Sequence, residues 1–249
     1  MAGPVERKAD RVAADLMRRI VAGELRAGSL LPKESELAEA FGVNRSVVRE
    51  AVKQLEVHRL VRPIKRRGTE VLDPLRSPSP DVVRAMLFAE PGVIDQSALS
   101  DLLEIRTRLD VEMTGLAAER RTEVDLAVMD ACLVELAGAL GQPERYAGIM
   151  ERLTLAIAEA THNRIYQMLV HWHEHVRLDL PQLQMVIRMA NEPHLQGVRA
   201  MVDLIREGRA EAARELVASV HAWATPRMLA AAALSSGAAL PDLTEGAEP

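Results

Sequence analysis

Arg45, Arg49 and Lys53 recur every four residues, so a helix that contains them projects three cations from one side. Arginine can bind the edge of a guanine through two hydrogen bonds, and both arginine and lysine bind phosphate. The major groove of duplex DNA accepts a helix of this kind. An ordinary solvated helix face has the same pattern, so the DNA-binding interpretation depends on the elements that surround the stripe.

These surrounding elements form a three-helix unit. Apolar residues at four-residue steps predict a first helix over about residues 7–22, and a second, short helix begins at about Lys33 and ends in a tight turn at Gly42. Asn44 is well suited to cap a third helix, which carries the cations. The opposite face of that third helix is apolar and consists of Val47, Val48, Ala51, Val52 and Leu55.

A basic hairpin follows the third helix. Residues 60–64 and 69–72 are typical of two short strands. The residues between them form a positive tip that can reach a minor groove or its phosphates. The tip comprises Lys65, Arg66, Arg67 and Gly68. The helix and the hairpin therefore predict the same partner, double-stranded DNA.

The charge distribution agrees with this partner although the net charge of the chain is −5. Residues 1–72 contain 15 Lys and Arg against 10 Asp and Glu, whereas residues 73–249 contain 16 against 26. All four lysines lie in the basic part, where a phosphate backbone would attract them. Aromatic residues make up only 2% of the chain, which leaves little to stack on unpaired bases and disfavours single-stranded nucleic acid.

The segment LRAGSLLPKESELAEAFGVNRSVVREAVKQLEVHRLV resembles the N-terminal signature of the GntR family of bacterial repressors and activators. The resemblance implies a winged helix-turn-helix in which Arg45 and Arg49 read bases, Asn44 and Ser46 contact phosphates, and the wing at Gly68 lies near the minor groove. The full set of residues expected on DNA is Asn44, Arg45, Ser46, Arg49, Lys53, Lys65, Arg66, Arg67 and Gly68.

Two positions depart from the pattern of that family. Arg66 stands where a second wing glycine is usual, and Ser35 stands where relatives often have a DNA-contacting arginine. We therefore expect the path of the wing and part of the backbone contacts to differ from those of the family. Base reading by the third helix is expected to be retained.

The domain boundary is expected at a proline-rich segment. Residues 73–80 hold three prolines, which favour an extended connector. This divides the chain into a DNA-binding domain (1–72) and an all-α domain of about seven helices for effector binding and dimerisation (81–234). A disordered tail is expected at 235–249. The predicted fold class is therefore mainly α, a winged helix-turn-helix followed by an all-α helical bundle.

The segments LLEIRTRLDVEMTGLAAERRTEVDLAVM, AIAEATHNRIY and IREGRAEAARELV resemble the FCD ligand domain of the fatty-acid-regulator branch of the GntR family. The resemblance implies six or seven helices around an effector cavity, and a homodimer. It makes Arg106 a candidate to hold an acidic group of the effector, with an ordinary salt bridge as the alternative. Because one short recognition helix reads only a few base pairs, we expect the homodimer to bind a palindromic operator.

Most FCD domains coordinate a divalent metal with one aspartate and three histidines. Counted from Asn163 and Gly208, these four positions fall on Met150, Thr154, Val198 and Val220. A thioether, a hydroxyl and two valines cannot replace carboxylate and imidazole ligands. We therefore expect no cofactor and no metal at the family position, and a cavity suited to a hydrophobic effector. Long-chain fatty acyl-CoA is the first analogy and another hydrophobic acid the second. The expected effector site comprises Arg106, Met150, Thr154, Asn163, Val198 and Val220.

A different metal site is conceivable at His171 and His175, one helical turn apart, although two ligands do not make a site and partly exposed histidines on a polar helix face are the alternative. Cys132 is the only cysteine, which excludes an intramolecular disulfide and predicts a small buried residue. Charges at the N-terminus and the absence of an apolar run of roughly 18 residues predict a cytoplasmic protein without a membrane partner.

Two other functional classes are alternatives to an effector-responsive regulator. An enzyme is disfavoured because the sequence shows no activated nucleophile, no glycine-rich phosphate loop and no acid partner for its histidines. A DNA-binding architectural protein that senses no effector is the other alternative, against which the long helical second domain argues.

Overall fold

The computed structural model describes residues 7–88, 93–177 and 189–235. Within these ranges the chain is mainly helical, with ten α-helices and one two-stranded sheet, as the sequence predicts. Two compact units divide the chain after Asp95. No helix in these ranges is long and apolar enough to cross a membrane.

The first unit is a winged helix-turn-helix. Its elements in chain order are α1 (Lys8–Val21), α2 (Glu34–Ala40), α3 (Arg45–Val57), β1 (Val61–Ile64), β2 (Gly68–Val71) and α4 (Pro80–Leu87). Helices α1 and α3 pack together because their apolar faces repeat at helical spacing and are buried in one shared core. The strands are antiparallel, with Val61 opposite Val71 and Ile64 opposite Gly68.

The proline-rich segment belongs to this first unit. Ser77 Oγ donates a hydrogen bond to His58 O at 2.6 Å, and Ser79 Oγ lies 2.8 Å from His58 Nδ1. Val82 of α4, directly after the segment, is fully buried in the same core as α1. The division after Asp95 therefore differs from the one expected at 73–80, because the apolar face of α4 finds its packing partner in α1.

The second unit is a helical bundle. Its helices are α5 (Gln96–Arg120), α6 (Glu123–Ala137), α7 (Pro143–Ala160), α8 (Arg164–Arg177), α9 (Glu192–Arg206) and α10 (Ala210–Ser235). Helix α5 packs along α10, and α6 packs along α7. Cys132 is buried among the core residues, as expected. Of the tail expected at 235–249, all but Ser235 lies outside the described residues.

Gly115 sets the close approach of α5 to α10. A Cβ at this position would lie 2.4 Å from Arg214 Cζ, so only glycine leaves room for the arginine where it lies. Arg214 in turn pairs with Glu119 at 2.8 Å and Glu112 at 3.4 Å, both on α5. Helices α5 and α10 are thus antiparallel and joined by ion pairs of Arg214, whose side chain passes over Gly115. The two helices together form one wall of a cavity.

Candidate DNA-binding surface and effector cavity

Helix α3 presents its basic residues on the exposed side of the first unit. Its packed face buries Val48, Ala51 and Leu55. The opposite face exposes Arg45, Ser46, Arg49 and Lys53. The cations therefore form a basic stripe on the solvent-exposed side of α3, directly after the turn at Gly42, as their spacing in the sequence predicts.

Asn44 caps α3, as predicted. Its side-chain oxygen accepts hydrogen bonds from Val47 N at 3.0 Å and from Ser46 Oγ at 2.7 Å. This satisfies one of the unpaired backbone N–H groups at the start of the helix. The cap uses only the oxygen of the Asn44 amide, so its nitrogen keeps two donors that suit a phosphate.

Two carboxylates accompany the cations of α3. Arg49 Nε donates to Glu34 Oε2 at 2.8 Å, and Lys53 Nζ donates to Glu50 Oε1 at 3.0 Å, whereas Arg45 has no ion pair within the described residues. Glu34 is the first residue of α2 and was not predicted to be part of this surface. Its bond to Nε leaves both terminal nitrogens of Arg49 available for the two acceptors of a guanine edge.

The wing closes without its second glycine. Arg67 N donates to Ile64 O at 3.0 Å, which forms a tight turn whose side chains Lys65, Arg66 and Arg67 are exposed. Arg66 occupies the left-handed region at φ 64°, where a side chain is costly and glycine is favoured. Arg66 in place of the usual glycine therefore leaves the turn intact and adds a cation at its tip, at the cost of some backbone strain.

Replacing Arg66 with glycine should have opposite effects on stability and on DNA binding. We expect the free energy of unfolding to rise by up to about 1 kcal/mol because the strain is relieved, while operator affinity falls because a cation is lost. Arg67→Gly is the matched control, since it removes the same charge without relieving strain. Chemical denaturation and fluorescence anisotropy measure the two effects, and equal stability changes in both variants would contradict the argument.

The second unit contains a partly open cavity of about 630 Å³, within the size range of small-molecule sites. Its lining is dominated by long apolar side chains, including those of Met113, Met150, Met189, Met201 and Met228. The structure brings five of the six expected effector residues to this lining. They are Arg106, Met150, Thr154, Val198 and Val220.

Asn163, the sixth expected residue, lies elsewhere. Its side-chain oxygen accepts a hydrogen bond from Ile165 N at 3.0 Å at the start of α8. It is not among the residues that line the cavity. Asn163 therefore has a helix-initiating role, and we leave it out of the proposed site.

One end of the cavity is ionic. Asp110 Oδ2 lies 3.3 Å from Arg106 Nε and 3.0 Å from His221 Nε2. The exposed side-chain fractions are 14% for Arg106, 24% for Asp110 and 14% for His221. Arg106 thus lines the cavity and forms a salt bridge, while its contact with an acidic group of an effector stays a prediction. Asp110 was not predicted as a site residue, although its place one helical turn after Arg106 was an available signal.

Asp110 is held in its ionised form. Burial raises the pKa of its carboxyl group, but the hydrogen bond from His221 and the charges of Arg106, His221 and His173 outweigh it, so the pKa lies below its ordinary value. The ionised Asp110 therefore forms a salt bridge with Arg106 through Nε. This leaves a compact polar end in an otherwise apolar cavity.

The lining does not match the metal-binding set of most FCD domains. Met150, Thr154, Val198 and Val220 supply one thioether and one hydroxyl, and the hydroxyl of Thr154 already donates to Met150 O at 2.9 Å. Across residues 7–88, 93–177 and 189–235, no three His, Cys, Asp or Glu side chains are grouped so that they could hold a metal ion. At the other histidine pair, His175 Nδ1 lies 2.9 Å from His171 O.

Comparison with known proteins identifies both units. The model of the bacterial regulatory proteins of the gntR family matches residues 8–71, and that of the FCD domain matches residues 101–221. The galactonate operon transcriptional repressor of Escherichia coli is 28% identical over 89% of this chain and 96% of its own length. The regulator LutR of Bacillus subtilis is 34% identical over 62% of this chain and 67% of its own.

A solved structure shares the fold. It is that of Lar, described as controlling expression of the Listeria monocytogenes agr system, and it is 22% identical over 91% of this chain and 98% of its own, with a TM-score of 0.58. Family models cover the basic α3 and wing in one unit and most of the cavity lining in the other. The chain therefore belongs to the GntR family, as a DNA-binding transcriptional regulator with a C-terminal FCD effector domain.

Proposed function

We propose that the protein binds a palindromic operator as a homodimer in the cytoplasm, and that a mainly apolar acid bound in the cavity changes its affinity for that operator. The observation that carries the proposal is the pairing of an exposed basic recognition helix in one unit with a methionine-lined cavity in the other. An effector needs only to prefer one arrangement of two DNA-binding heads to change operator affinity.

The DNA-binding part rests on α3 and the wing. Arg45 and Arg49 are proposed to contact base edges, while Asn44, Ser46, Lys53 and the cations of the wing contact the backbone. Each α3 reads only a few base pairs, so two copies related by a two-fold axis are needed for useful specificity. The operator then carries the same symmetry as the protein.

Genomic footprinting combined with sedimentation tests this part. We expect a protected site with two inverted half-sites about one helical turn apart, and a complex that contains two protein chains. A protein that sediments as a monomer both free and on its preferred DNA would contradict the proposal. So would a protected site that has no inverted symmetry.

The effector part rests on the polarity of the cavity. Its two threonine hydroxyls donate to backbone oxygens, Thr154 to Met150 O at 2.9 Å and Thr114 to Asp110 O at 2.8 Å. These two hydroxyls are therefore not free to donate to a polyhydroxylated acid, although one relative is named for the galactonate operon. Arg106 can hold an acidic group at the ionic end, and the methionines suit an alkyl chain. Long-chain acyl-CoA is the first choice and another hydrophobic acid the second.

A thermal-shift screen separates an effector-responsive regulator from a DNA-binding protein that senses nothing. A ligand that binds the folded state alone raises the melting temperature in a concentration-dependent way. We expect a shift with acyl-CoA and little with short polyhydroxylated acids. If no compound among acyl-CoAs, organic acids and metal ions produces a shift, the architectural alternative gains support.

A further inference from the structure

Helix α6 is apolar on its exposed side as well as on its buried side. The buried side consists of Leu126, Met129, Cys132 and Leu136. Every exposed residue between 124 and 134 is Val or Ala, namely Val124, Ala127, Val128, Ala131 and Val134. Val124 is 74% exposed and Val134 is 75% exposed. An apolar helix face is normally buried, and among the described residues of the second unit nothing covers this one, which we call the valine face.

The charges beside the valine face are neutralised by neighbouring helices. Arg206 of α9 forms two hydrogen bonds with Asp130, at 2.6 and 3.1 Å, and Arg152 of α7 pairs with Glu135. The hydrogen bonds from Arg206 hold the pKa of the Asp130 carboxyl below its ordinary value. An apolar centre bordered by satisfied ion pairs has the anatomy of a protein interface, with a polar rim around an apolar core.

Four of the five residues on the valine face are arranged symmetrically about position 129, and the fifth, Val128, has Asp130 as its counterpart. Val124 and Val134 lie five residues to either side, and Ala127 and Ala131 lie two residues to either side. If two α6 helices pair antiparallel with a two-fold axis beside Met129, Val124 meets the partner's Val134 and Ala127 meets the partner's Ala131. Small alanines at the centre then let the helices approach closely, while valines pack at both ends.

We propose that the valine face of α6 is the surface through which two copies of this chain pair, in this antiparallel register. A two-fold contact requires a self-complementary surface, whereas a foreign partner would need no such symmetry. The inference rests on the homodimer of the proposed function and adds the helix, the register and the position of the axis.

Disulfide crosslinking tests the register. V124C and V134C protomers with different tags are coexpressed, purified together and mildly oxidised, and we expect a crosslink between the two kinds of protomer. Neither variant alone should crosslink, because the two copies of position 134 would lie about 15 Å apart along the helices, beyond the reach of a disulfide. The unaltered protein is the background control, since its single Cys132 is buried.

Charge insertion tests the surface independently of oxidation. Ala131→Glu buries two carboxylates near the axis, and we expect the dimer dissociation constant to rise at least 100-fold in sedimentation. Ile165→Glu is the matched control, because Ile165 is a 57% exposed apolar residue at the start of α8, outside the valine face. Circular dichroism and melting temperature verify that both variants fold.

The outcomes distinguish this proposal from the one on which it rests. A wild-type dimer that neither crosslinks in the coexpressed sample nor dissociates on Ala131→Glu would overturn the valine face and leave the homodimer intact. A wild-type monomer would overturn both. If that monomer protected the introduced thiol of V124C from a maleimide, the face would be assigned to another part of the same chain.

Discussion

Replacing Arg49 with alanine will weaken operator binding by about 1–3 kcal/mol, which is roughly a 5- to 150-fold rise in the dissociation constant, and will relax the preference at one base pair. Arg49 lies on the exposed face of α3, and its Nε is held by Glu34 at 2.8 Å. The terminal nitrogens are therefore oriented as a pair before DNA arrives. Fluorescence anisotropy with the operator and its single-base variants measures both effects.

Lys65→Ala provides the contrast for Arg49→Ala. Lys65 lies in the exposed turn of the wing and is a proposed phosphate contact, so its loss should lower affinity by a similar factor for all duplex sequences. The slope of log K against log salt should fall by about 1. If Arg49→Ala lowered binding to operator and to random DNA by the same factor, direct base reading by Arg49 would be wrong.

Lengthening the acyl chain of the effector by four methylenes will strengthen its binding by about 3 kcal/mol, on the order of 10²-fold, until the cavity is filled. Each buried methylene contributes about 0.8 kcal/mol, and the lining of methionine and valine side chains offers an apolar surface for the chain. Operator-release titrations with octanoyl-CoA and dodecanoyl-CoA measure the difference. Short citrate-like acids should release little DNA.

Arg106→Ala separates recognition of the acidic group from burial of the chain. Asp110 keeps its hydrogen bond to His221 in this variant, so the ionic end is not left with an unpaired carboxylate. We expect weaker binding of every chain length by a similar factor, with the dependence on chain length unchanged. Stoichiometric zinc or nickel bound within the cavity, or release by citrate-like acids and not by acyl-CoA, would refute the apolar effector.

The DNA-binding unit was predictable from the sequence because its determinants are local. The spacing of apolar residues identified α1 and α3, Asn44 identified the start of α3, and two short strands around a basic turn identified the wing. Each of these elements is determined by residues that lie within about one or two helical turns of one another or on adjacent strands. The family signature added roles that the spacing alone does not specify.

The cavity was predictable only in part. Counting from sequence landmarks brought Met150, Thr154, Val198 and Val220 to one lining, because helical registers are preserved along matching segments. Asn163 was misplaced, since a residue at a helix start can satisfy backbone N–H groups locally instead of facing the bundle interior. Counting cannot show that difference in direction.

What the sequence by itself determined about this protein is the helical content, the basic stripe of α3, the wing and the family, all of which depend on short-range periodicity and turn chemistry. Tertiary structure alone decided which distant groups meet. Asp110 pairs with His221 across 111 residues, Glu34 holds Arg49 across the helix-turn-helix, and α4 packs on α1 so that the boundary moves to Asp95. The physical reason is that burial and ion pairing act between the faces of different helices. A sequence pattern predicts which face of a helix is apolar or charged, but it does not predict which other helix packs against that face.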